Sequence, residues 1–312
     1  MTFTAQIWNI VFPDIIYNSS GPRCTTLEEL QALGNSASSA IMMKSCSPES
    51  RMWNPEPRYI EVELGSINSI GLANHGYKKY IEYAAELKKE FPEKPVIVSI
   101  VGFCPEDFVN LVTAFQNESN VDVLEVNLSC PNVVGKPQIA YDFETSDELL
   151  AKIFAIPGSK PIWLKLPPYF DPVHTAMMAE VLKKYPISFI TCINSVGNTL
   201  IIDPETETTL IAPKWGLWGL GWDYIKPVAL ANVRMFYKLL GDRMMIIWCG
   251  GIKTWIDVFE HLLAGASLVQ LGTVLGKEDT DCFVRIQKEF YEYIDKKWYT
   301  DIKQIIGQLK EL

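Results

Sequence analysis

The sequence predicts an α/β protein built as a (β/α)8 barrel, with an N-terminal extension and two long inserted loops. Eight short apolar segments alternate in strict order with eight amphipathic segments of helical period. No GxGxxG motif opens the first helical segment, which disfavours a doubly wound sheet, the second choice. Barrels of this kind commonly reach 312 residues as one unit, so we expect a single domain over 1–312.

Each strand is predicted from a short run of apolar residues, and each is followed by an amphipathic helix. The strands are expected at 15–18, 40–44, 96–102, 123–129, 161–166, 189–195, 244–250 and 267–273. The helices are expected at about 26–34, 75–90, 105–116, 146–155, 174–184, 229–240, 254–264 and 282–296. Two segments without this alternation, near 46–74 and 196–227, are interpreted as inserts that decorate the barrel.

Composition and charge exclude several classes of function. With 48% hydrophobic and 21% charged residues, the chain is an ordinary globular protein. A net charge of −9 gives no basic surface for a nucleic acid or a membrane. No apolar stretch is long enough to span a membrane, and the first residues lack the features of a signal peptide. We therefore expect a cytoplasmic protein that binds neither nucleic acid nor membrane.

The cysteines give no sign of a disulfide framework or a metal site. They are seven in number, and no two of them form a CxxC pair. Reduced thiols in a cytoplasmic protein, and no bound metal, are the simplest reading. They stand at positions 24, 46, 104, 130, 192, 249 and 282.

Polar side chains stand at the ends of four predicted strands, where barrels of this class carry their chemistry. Taken alone, Asn194 or Ser195 is as compatible with a core polar group whose hydrogen bonds are satisfied as with a binding site. Lys165, inside an apolar strand, is harder to explain that way, because a buried ammonium needs an anionic partner. Four such ends at one mouth predict a pocket for an anionic, hydrogen-bonding ligand. The residues are Lys44, Ser45, Asn127, Ser129, Cys130, Lys165, Asn194 and Ser195.

The last two strands suggest a phosphate site. Strand seven ends in Cys249-Gly250-Gly251, and strand eight ends in Leu271-Gly272-Thr273. Loops after these strands often bind phosphate in barrels, because glycines let backbone N–H groups approach the anion. Glycines also end strands for packing reasons, but their presence on both expected strands favours a phosphate-bearing cofactor.

The segment NLSCPNVVGKPQIAYDFE, at 127–144, strongly resembles the class 1A dihydroorotate dehydrogenases, the cytosolic type that uses fumarate. The resemblance spans essentially the whole chain. Relatives that pass electrons to NAD through a partner subunit share SCPN but differ just after it. Further matching motifs are NPEPRY (54–59), LGSINSIGL (64–72), KLPPYFD (165–171), NSVGN (194–198), ALANV (229–233), GGI (250–252) and FEHLLAGAS (259–267).

This resemblance implies an FMN cofactor and a flat substrate bound on its face. The flavin and its phosphate would contact Ser20, Gly21, Lys44, Ser45, Asn127, Lys165, Asn194, Gly221, Cys249, Gly250, Gly251, Gly272 and Thr273. The substrate, dihydroorotate, would contact Lys44, Asn68, Ile70, Gly71, Leu72, Asn127, Asn132, Asn194 and Ser195. Amides, a hydroxyl and cations suit a diamide-like ring that carries a carboxylate.

The resemblance also implies the catalytic roles. Cys130 would remove a proton from C5 of dihydroorotate while hydride leaves C6, which requires a thiolate or a proton relay. Lys165 would stabilise negative charge on the reduced flavin. Fumarate would then bind the same site and leave as succinate. The resemblance also implies that the protein is a homodimer. Lys214 would lie on a lid over the site, and His174 is interpreted as packing at a helix start.

The nine tryptophans depart from the family pattern. Eight stand where the family usually has glycine, and at Trp8 glycine is acceptable. A glycine at a tight turn can need positive φ or a close backbone approach, and tryptophan supplies neither cheaply. Trp163, inside a barrel strand, is expected to overpack by about 1–3 kcal/mol. The others are Trp53, Trp215, Trp218, Trp222, Trp248, Trp255 and Trp298.

Our hypothesis is that the source organism reads UGA as glycine, and that these codons were translated here as tryptophan. The alternative is a diverged relative that has repacked around its tryptophans. Three functions stay open. The first is the fumarate-linked enzyme, and the second is a dehydrogenase of the same fold that passes electrons to NAD through a partner or acts on a related dihydropyrimidine. The third is a flavin-less barrel whose site the tryptophans close.

Overall fold

The computed structural model describes residues 3–7, 9–63, 65–129 and 138–312. Its strands, in chain order, are β1 Ala5–Ile7, β2 Ile10–Phe12, β3 Ile16–Asn18, β4 Ile41–Met42, β5 Tyr59–Val62, β6 Gly65–Asn68, β7 Val96–Ile100, β8 Val123–Asn127, β9 Ile162–Leu166, β10 Phe189–Cys192, β11 Val196–Thr199, β12 Ile202–Asp203, β13 Thr208–Thr209, β14 Trp218–Gly221, β15 Met245–Cys249 and β16 Ala266–Leu271.

The α-helices alternate with the barrel strands. They are α1 Leu27–Gly34, α2 Tyr77–Glu90, α3 Pro105–Gln116, α4 Phe143–Phe154, α5 Pro172–Leu182, α6 Lys226–Leu240, α7 Trp255–Ala264, α8 Thr273–Glu278 and α9 Asp281–Lys296. Local chemistry explains several boundaries. Thr26 and Glu29 form a capping box at the start of α1, and prolines begin α3 and α5.

The predicted barrel is confirmed. Eight parallel strands form one sheet in the order β3-β16-β15-β10-β9-β8-β7-β4, and helices separate them along the chain. Strands such as β7 and β8 are buried along their whole length, because helices cover one face and the barrel interior the other. Every predicted strand and helix has its counterpart. One short helix, α8, was not predicted, and it takes Thr273 from the end of the eighth predicted strand.

A side-chain amide completes the barrel between β3 and β4. Asn18 Nδ2 donates to the Met42 carbonyl at 2.7 Å, and the Met42 N–H donates to Asn18 Oδ1 at 2.9 Å. One backbone bond joins the same two segments, from the Ser39 N–H to the Ile16 carbonyl at 3.0 Å. Asn18 is fully buried, so these bonds substitute for the backbone ladder that joins the other barrel strands. We call this junction the seam.

The two inserts do more than decorate the barrel. Strands β5 and β6 come from the first insert, and β11 and β14 come from the second; they pair in the order β11-β14-β6-β5. The central pair is antiparallel, with Gly219 opposite Asn68 and Gly221 opposite Ser66. We call this four-stranded unit the cover sheet. It joins parts of the chain about 150 residues apart, which local sequence patterns cannot reveal.

The tryptophans differ in how well the fold accommodates them. Trp163 packs between Phe12 and Phe189 at ring separations of 6.2 and 5.0 Å, which are ordinary aromatic contacts. Trp248 lies only 2.9 Å from the His261 ring in a nearly parallel stack, closer than two rings can pack without overlap. Both indoles are fully buried, and neither Nε1 has a hydrogen-bond partner among the described residues.

Two tryptophans take backbone conformations that favour glycine. Trp222 has φ 70° and ψ −148°, and Trp298 has φ 61°. The structure therefore supports the glycine hypothesis at 222, 248 and 298. Trp53 and Trp255 have neither a positive φ nor an overlap with another ring. Trp8 lies outside the described residues, as do the side chains of Lys214, Trp215 and Trp218. For those positions the hypothesis stays a prediction.

Candidate active site

One cavity of about 1140 Å³ opens at the carboxyl ends of the barrel strands, beneath the cover sheet. All the predicted site residues that the structure describes line it. They are Ser20, Gly21, Lys44, Ser45, Asn68, Ile70, Gly71, Leu72, Asn127, Lys165, Asn194, Ser195, Gly221, Cys249, Gly250, Gly251, Gly272 and Thr273. The two others, Cys130 and Asn132, lie outside the described residues, so their placement stays a prediction.

A chain of hydroxyls and amides crosses the cavity floor. Asn127 Nδ2 donates to Ser45 Oγ at 3.4 Å, and Ser129 Oγ donates to Asn127 Oδ1 at 2.6 Å. Asn194 Nδ2 in turn donates to Ser129 Oγ at 2.7 Å. Ser45 also shares a 2.8 Å hydrogen bond with Ser99. Each amide orients its neighbour, so the donors and acceptors offered to a ligand are fixed before it binds.

Two lysines bring positive charge to the cavity. Lys44 Nζ donates to the Gly21 carbonyl at 2.7 Å, and burial lowers the pKa of this ammonium. Lys165 is only 4% exposed, and its Nζ donates to Gln270 Oε1 at 3.3 Å. Burial on its own lowers the pKa of Lys165, but nearby Cys249 and Glu125 raise it, and the net shift is upward. A buried, charged Lys165 suits an anionic or electron-accepting ligand.

The loop after β15 has the backbone that a phosphate site needs. Gly250 and Gly251 have φ of 120° and 76°, a region that side chains rarely adopt. A Cβ on Gly251 would lie 2.7 Å from Cα of Lys226, so the loop can pack against the start of α6 only as glycine. Thr273, the first residue of α8, lines the same cavity. Backbone N–H groups can therefore approach an anion closely here.

The cover sheet supplies the other wall of the cavity. Asn68 stands at the end of β6, where its Nδ2 donates to the Gly219 carbonyl of β14 at 3.1 Å. The following turn, with Gly71 at φ 82° and Leu72 at φ 57°, also lines the cavity. A ligand between floor and cover would thus contact both inserts. The indole of Trp222 also lines this wall, with Lys277 Nζ 4.3 Å from the ring centroid.

Sequence reasoning missed the acid and the amide beneath the cavity. Glu125 and Gln270 are both fully buried, inside β8 and β16. Gln270 Nε2 donates to Glu125 Oε2 at 3.3 Å. A signal was available, because a charged residue inside an apolar strand such as VLEVN is costly unless it is paired. His174, interpreted as packing, has its ring 5.8 Å from that of Phe143 near the start of α5.

The fold and this cavity define a (β/α)8 barrel with a polar site at the strands' carboxyl ends. The chain belongs to the dihydroorotate dehydrogenase family, because the model of the family described as "Dihydroorotate dehydrogenase" matches residues 2–294.

Curated relatives agree over the full length. "Dihydroorotate dehydrogenase (fumarate)" of Kluyveromyces lactis is 46% identical over 97% of this chain and 96% of its own length. The Saccharomyces cerevisiae protein of the same name is 45% identical over 100% of this chain and 99% of its own. "Dihydroorotate dehydrogenase A (fumarate)" of Lactococcus lactis is 46% identical over 97% and 98%.

A solved structure has the same fold. It is the DHODH of Eimeria tenella in complex with ferulenol, which aligns with a TM-score of 0.82 over 98% of this chain and 88% of its own. At 17% sequence identity, this likeness bears on the fold alone.

Proposed function

We propose that this chain is an FMN-dependent oxidoreductase of pyrimidine biosynthesis that oxidises dihydroorotate to orotate and uses fumarate as electron acceptor. One observation carries the proposal: every described residue that the resemblance implies for cofactor and substrate lines one cavity. The full-length similarity to fumarate-linked relatives supports the choice of acceptor.

The residues of the cavity fit FMN. At Gly250 and Gly251 a Cβ would crowd Ile225 and Lys226, so only glycines allow this backbone, whose N–H groups suit the phosphate. Lys165 is a buried lysine whose Nζ donates to the neutral amide of Gln270, so it suits the electron-accepting ring. A volume of about 1140 Å³ also exceeds what one small ring needs, which leaves room for a cofactor and a substrate together. When bound, FMN would accept hydride from one substrate and deliver it to the other.

The protein's own groups then have separate tasks. Asn127, Asn194 and Asn68 hold the substrate ring by its amide-like edges, and the backbone around Gly71 receives its carboxylate. Lys165 presents positive charge where negative charge develops. Cys130 removes the C5 proton, and the thiol needs a thiolate population or a relay because its ordinary pKa is about 8.5. Bound substrate excludes water from this floor.

We further propose that the whole chain folds as one domain, acts in the cytoplasm and forms a homodimer, as the family resemblance implies. Among the residues described, no helix is both long and apolar enough to cross a membrane. Light scattering coupled to gel filtration measures the oligomeric state directly.

The decisive experiment follows the visible spectrum of the purified protein without oxygen. Dihydroorotate is added first and fumarate second. We expect a yellow protein that bleaches with dihydroorotate and regains its colour with fumarate. Cys130→Ser is the matched variant, because it keeps the site's shape and weakens the base; it should bind flavin and bleach much more slowly.

Other outcomes select the alternatives. Bleaching without recovery by fumarate would assign the acceptor to NAD or a quinone. Bleaching by another dihydropyrimidine, and not by dihydroorotate, would change the substrate. A folded but colourless protein that takes up no added FMN would favour the flavin-less barrel, and the glycine version of the chain would be the protein to compare.

A further inference from the structure

A buried acid lies directly beneath the cavity floor. Glu125, in β8, is fully buried, and donors surround both of its carboxylate oxygens. Ser20 Oγ donates to Oε1 at 3.2 Å, while Thr191 Oγ1 and Gln270 Nε2 donate to Oε2 at 3.2 and 3.3 Å. All three partners donate, so both carboxylate oxygens accept hydrogen bonds. A carboxylate charge is costly inside a barrel unless an opposite charge compensates for it.

The amide of Gln270 connects this acid to Lys165. Its Nε2 donates to Glu125, and its Oε1 accepts from Lys165 Nζ at 3.3 Å. Nε2 also donates to the Tyr17 hydroxyl at 3.0 Å, which fixes the amide's orientation. Within the described ranges no carboxylate comes within ion-pair distance of Lys165, so the acid acts on the ammonium through the amide and through space.

The other groups around Lys165 are not carboxylates. Cys249, on β15, shares a hydrogen bond with Lys165 and also raises its pKa, as does Cys24 in the loop after β3, whose own pKa burial raises to about 12. Lys44 is a second cation, and Tyr17 is a phenol whose pKa burial raises well above its ordinary value. Of the described groups that act on Lys165, Glu125 is the one carboxylate.

We propose that Glu125 is a positioning residue that, through Gln270, keeps Lys165 charged and directed into the cavity. The inference rests on the proposed function for its purpose, since a charged Lys165 is what an electron-accepting ring needs. Without the acid, Lys165 would be a buried ammonium with no carboxylate to act on it, and desolvation would favour its neutral form more strongly. The electrostatic role of Lys165 would then depend on a residue that touches neither cofactor nor substrate.

The first test uses the protein without cofactor. Trace labelling with acetic anhydride, read by peptide mass spectrometry across pH, reports the neutral fraction of each lysine. In Glu125→Gln, we expect Lys165 to label about 10-fold faster at pH 8, which corresponds to a pKa lower by one unit. Lys44 lies in the same cavity without a hydrogen bond to Glu125, and it should change far less.

Three further variants control for structure. Glu125→Asp keeps the charge and should restore slow labelling of Lys165. Gln270→Met removes the amide between Glu125 and Lys165 and keeps the acid, so Lys165 should label at an intermediate rate. The same variant tests the inference if Glu125→Gln does not fold. Asp14→Asn removes another buried carboxylate, at the opposite end of the barrel, and should leave Lys165 unchanged.

The second test measures the midpoint potential of bound FMN at pH 8. Loss of the positive charge at Lys165 should shift this potential to more negative values in Glu125→Gln and leave it unchanged in Asp14→Asn. Unchanged labelling of Lys165 in Glu125→Gln overturns the inference, as does equal labelling in the Asp and Gln variants. If the wild-type chain binds no FMN, the proposed function fails, and the labelling still decides the role of Glu125.

Discussion

Trp298 has a left-handed backbone conformation that favours glycine. It follows the end of α9 as the left-handed residue of a Schellman motif: its N–H donates to Asp295, and the Tyr299 N–H donates to Ile294. Glycine is usual there, and Gly265, which follows α7, has φ 124°. Trp298 is 89% exposed, so its side chain contributes almost no burial to offset the strain.

For this reason we expect Trp298→Gly to stabilise the protein. A left-handed conformation costs an L-residue about 1–2 kcal/mol, and glycine does not bear that cost. Trp298→Ala is the matched control, because alanine also removes the indole but keeps the strain. Urea denaturation should show a gain of about 1 kcal/mol for glycine and none for alanine. An equal gain in both variants would mean that the indole, and not the backbone, is unfavourable.

Asp14 should make stability depend on pH. Burial raises the pKa of this carboxyl to about 6, although hydrogen bonds from Tyr291 and from the Ile16 N–H lower it. The native state therefore binds more protons than the unfolded state between pH 4 and 6, and the free energy of unfolding falls as pH rises through that window. The loss is about 3 kcal/mol at most. Asp14→Asn should not show this loss. If the free energy of unfolding depends on pH in the same way in both proteins, this interpretation is wrong.

Site residues could be predicted from the sequence where they lie at the carboxyl end of a strand, and not where they lie inside one. Lys44, Lys165 and Asn194 were predicted because polar groups at the carboxyl ends of barrel strands indicate a site, and all three line the cavity. Glu125 and Gln270 lie one step deeper, where a satisfied core polar group and a functional group look alike in sequence. Only the hydrogen bonds from Gln270 to Glu125 and from Lys165 to Gln270 distinguish the two.

At the scale of elements, the regular alternation was predictable and the cover sheet was not. Helical and strand periods are local, so β7 or α3 can be read from a dozen residues. Pairing of β6 with β14 is not local: it joins two inserts that carry no periodic signal. The roles of Asn68 and Gly221 came from the resemblance alone, and the structure adds that a shared sheet places them over the cavity.

The contact between β15 and α7 should show coupling between Trp248 and His261. Their rings overlap at 2.9 Å, so one ring must gain room when the other is removed. We expect His261→Ala to be neutral or stabilising beside Trp248 and destabilising beside glycine in a Trp248→Gly chain. A double-mutant cycle by thermal unfolding should give an interaction of about 2 kcal/mol. Additive effects would show that the two rings do not compete.

For the molecule as a whole, the seam is the place where the barrel should open first. Asn18→Leu would leave the N–H and carbonyl of Met42 without partners, at a cost of about 1–3 kcal/mol for each group. Hydrogen exchange should then accelerate at Met42 and Met43. Asn232→Leu is matched, because Asn232 binds the N–H and carbonyl of Tyr169 in the same way. It should cost similar stability and leave exchange at Met42 unchanged.

The nine tryptophans also have a consequence for the whole chain. If UGA means glycine in the source organism, protein from that source should have the intact mass of the nine-glycine version. A mass that matches the tryptophan version would refute recoding. Prepared side by side, the nine-glycine chain should retain more FMN per mole than the chain with tryptophans, since Trp222 leaves the cavity wall.

The cover sheet has a consequence for the speed of turnover. Strands β5, β6, β11 and β14 are hydrogen-bonded into one unit, so the two inserts form one wall over the cavity. In a cycle with one binding site, orotate must leave before fumarate enters, and succinate must leave before dihydroorotate returns. If ligands pass only when the sheet moves, it is displaced twice in every cycle. Exchange of ligands, which solvent viscosity slows, would limit the rate, and the redox chemistry would be faster.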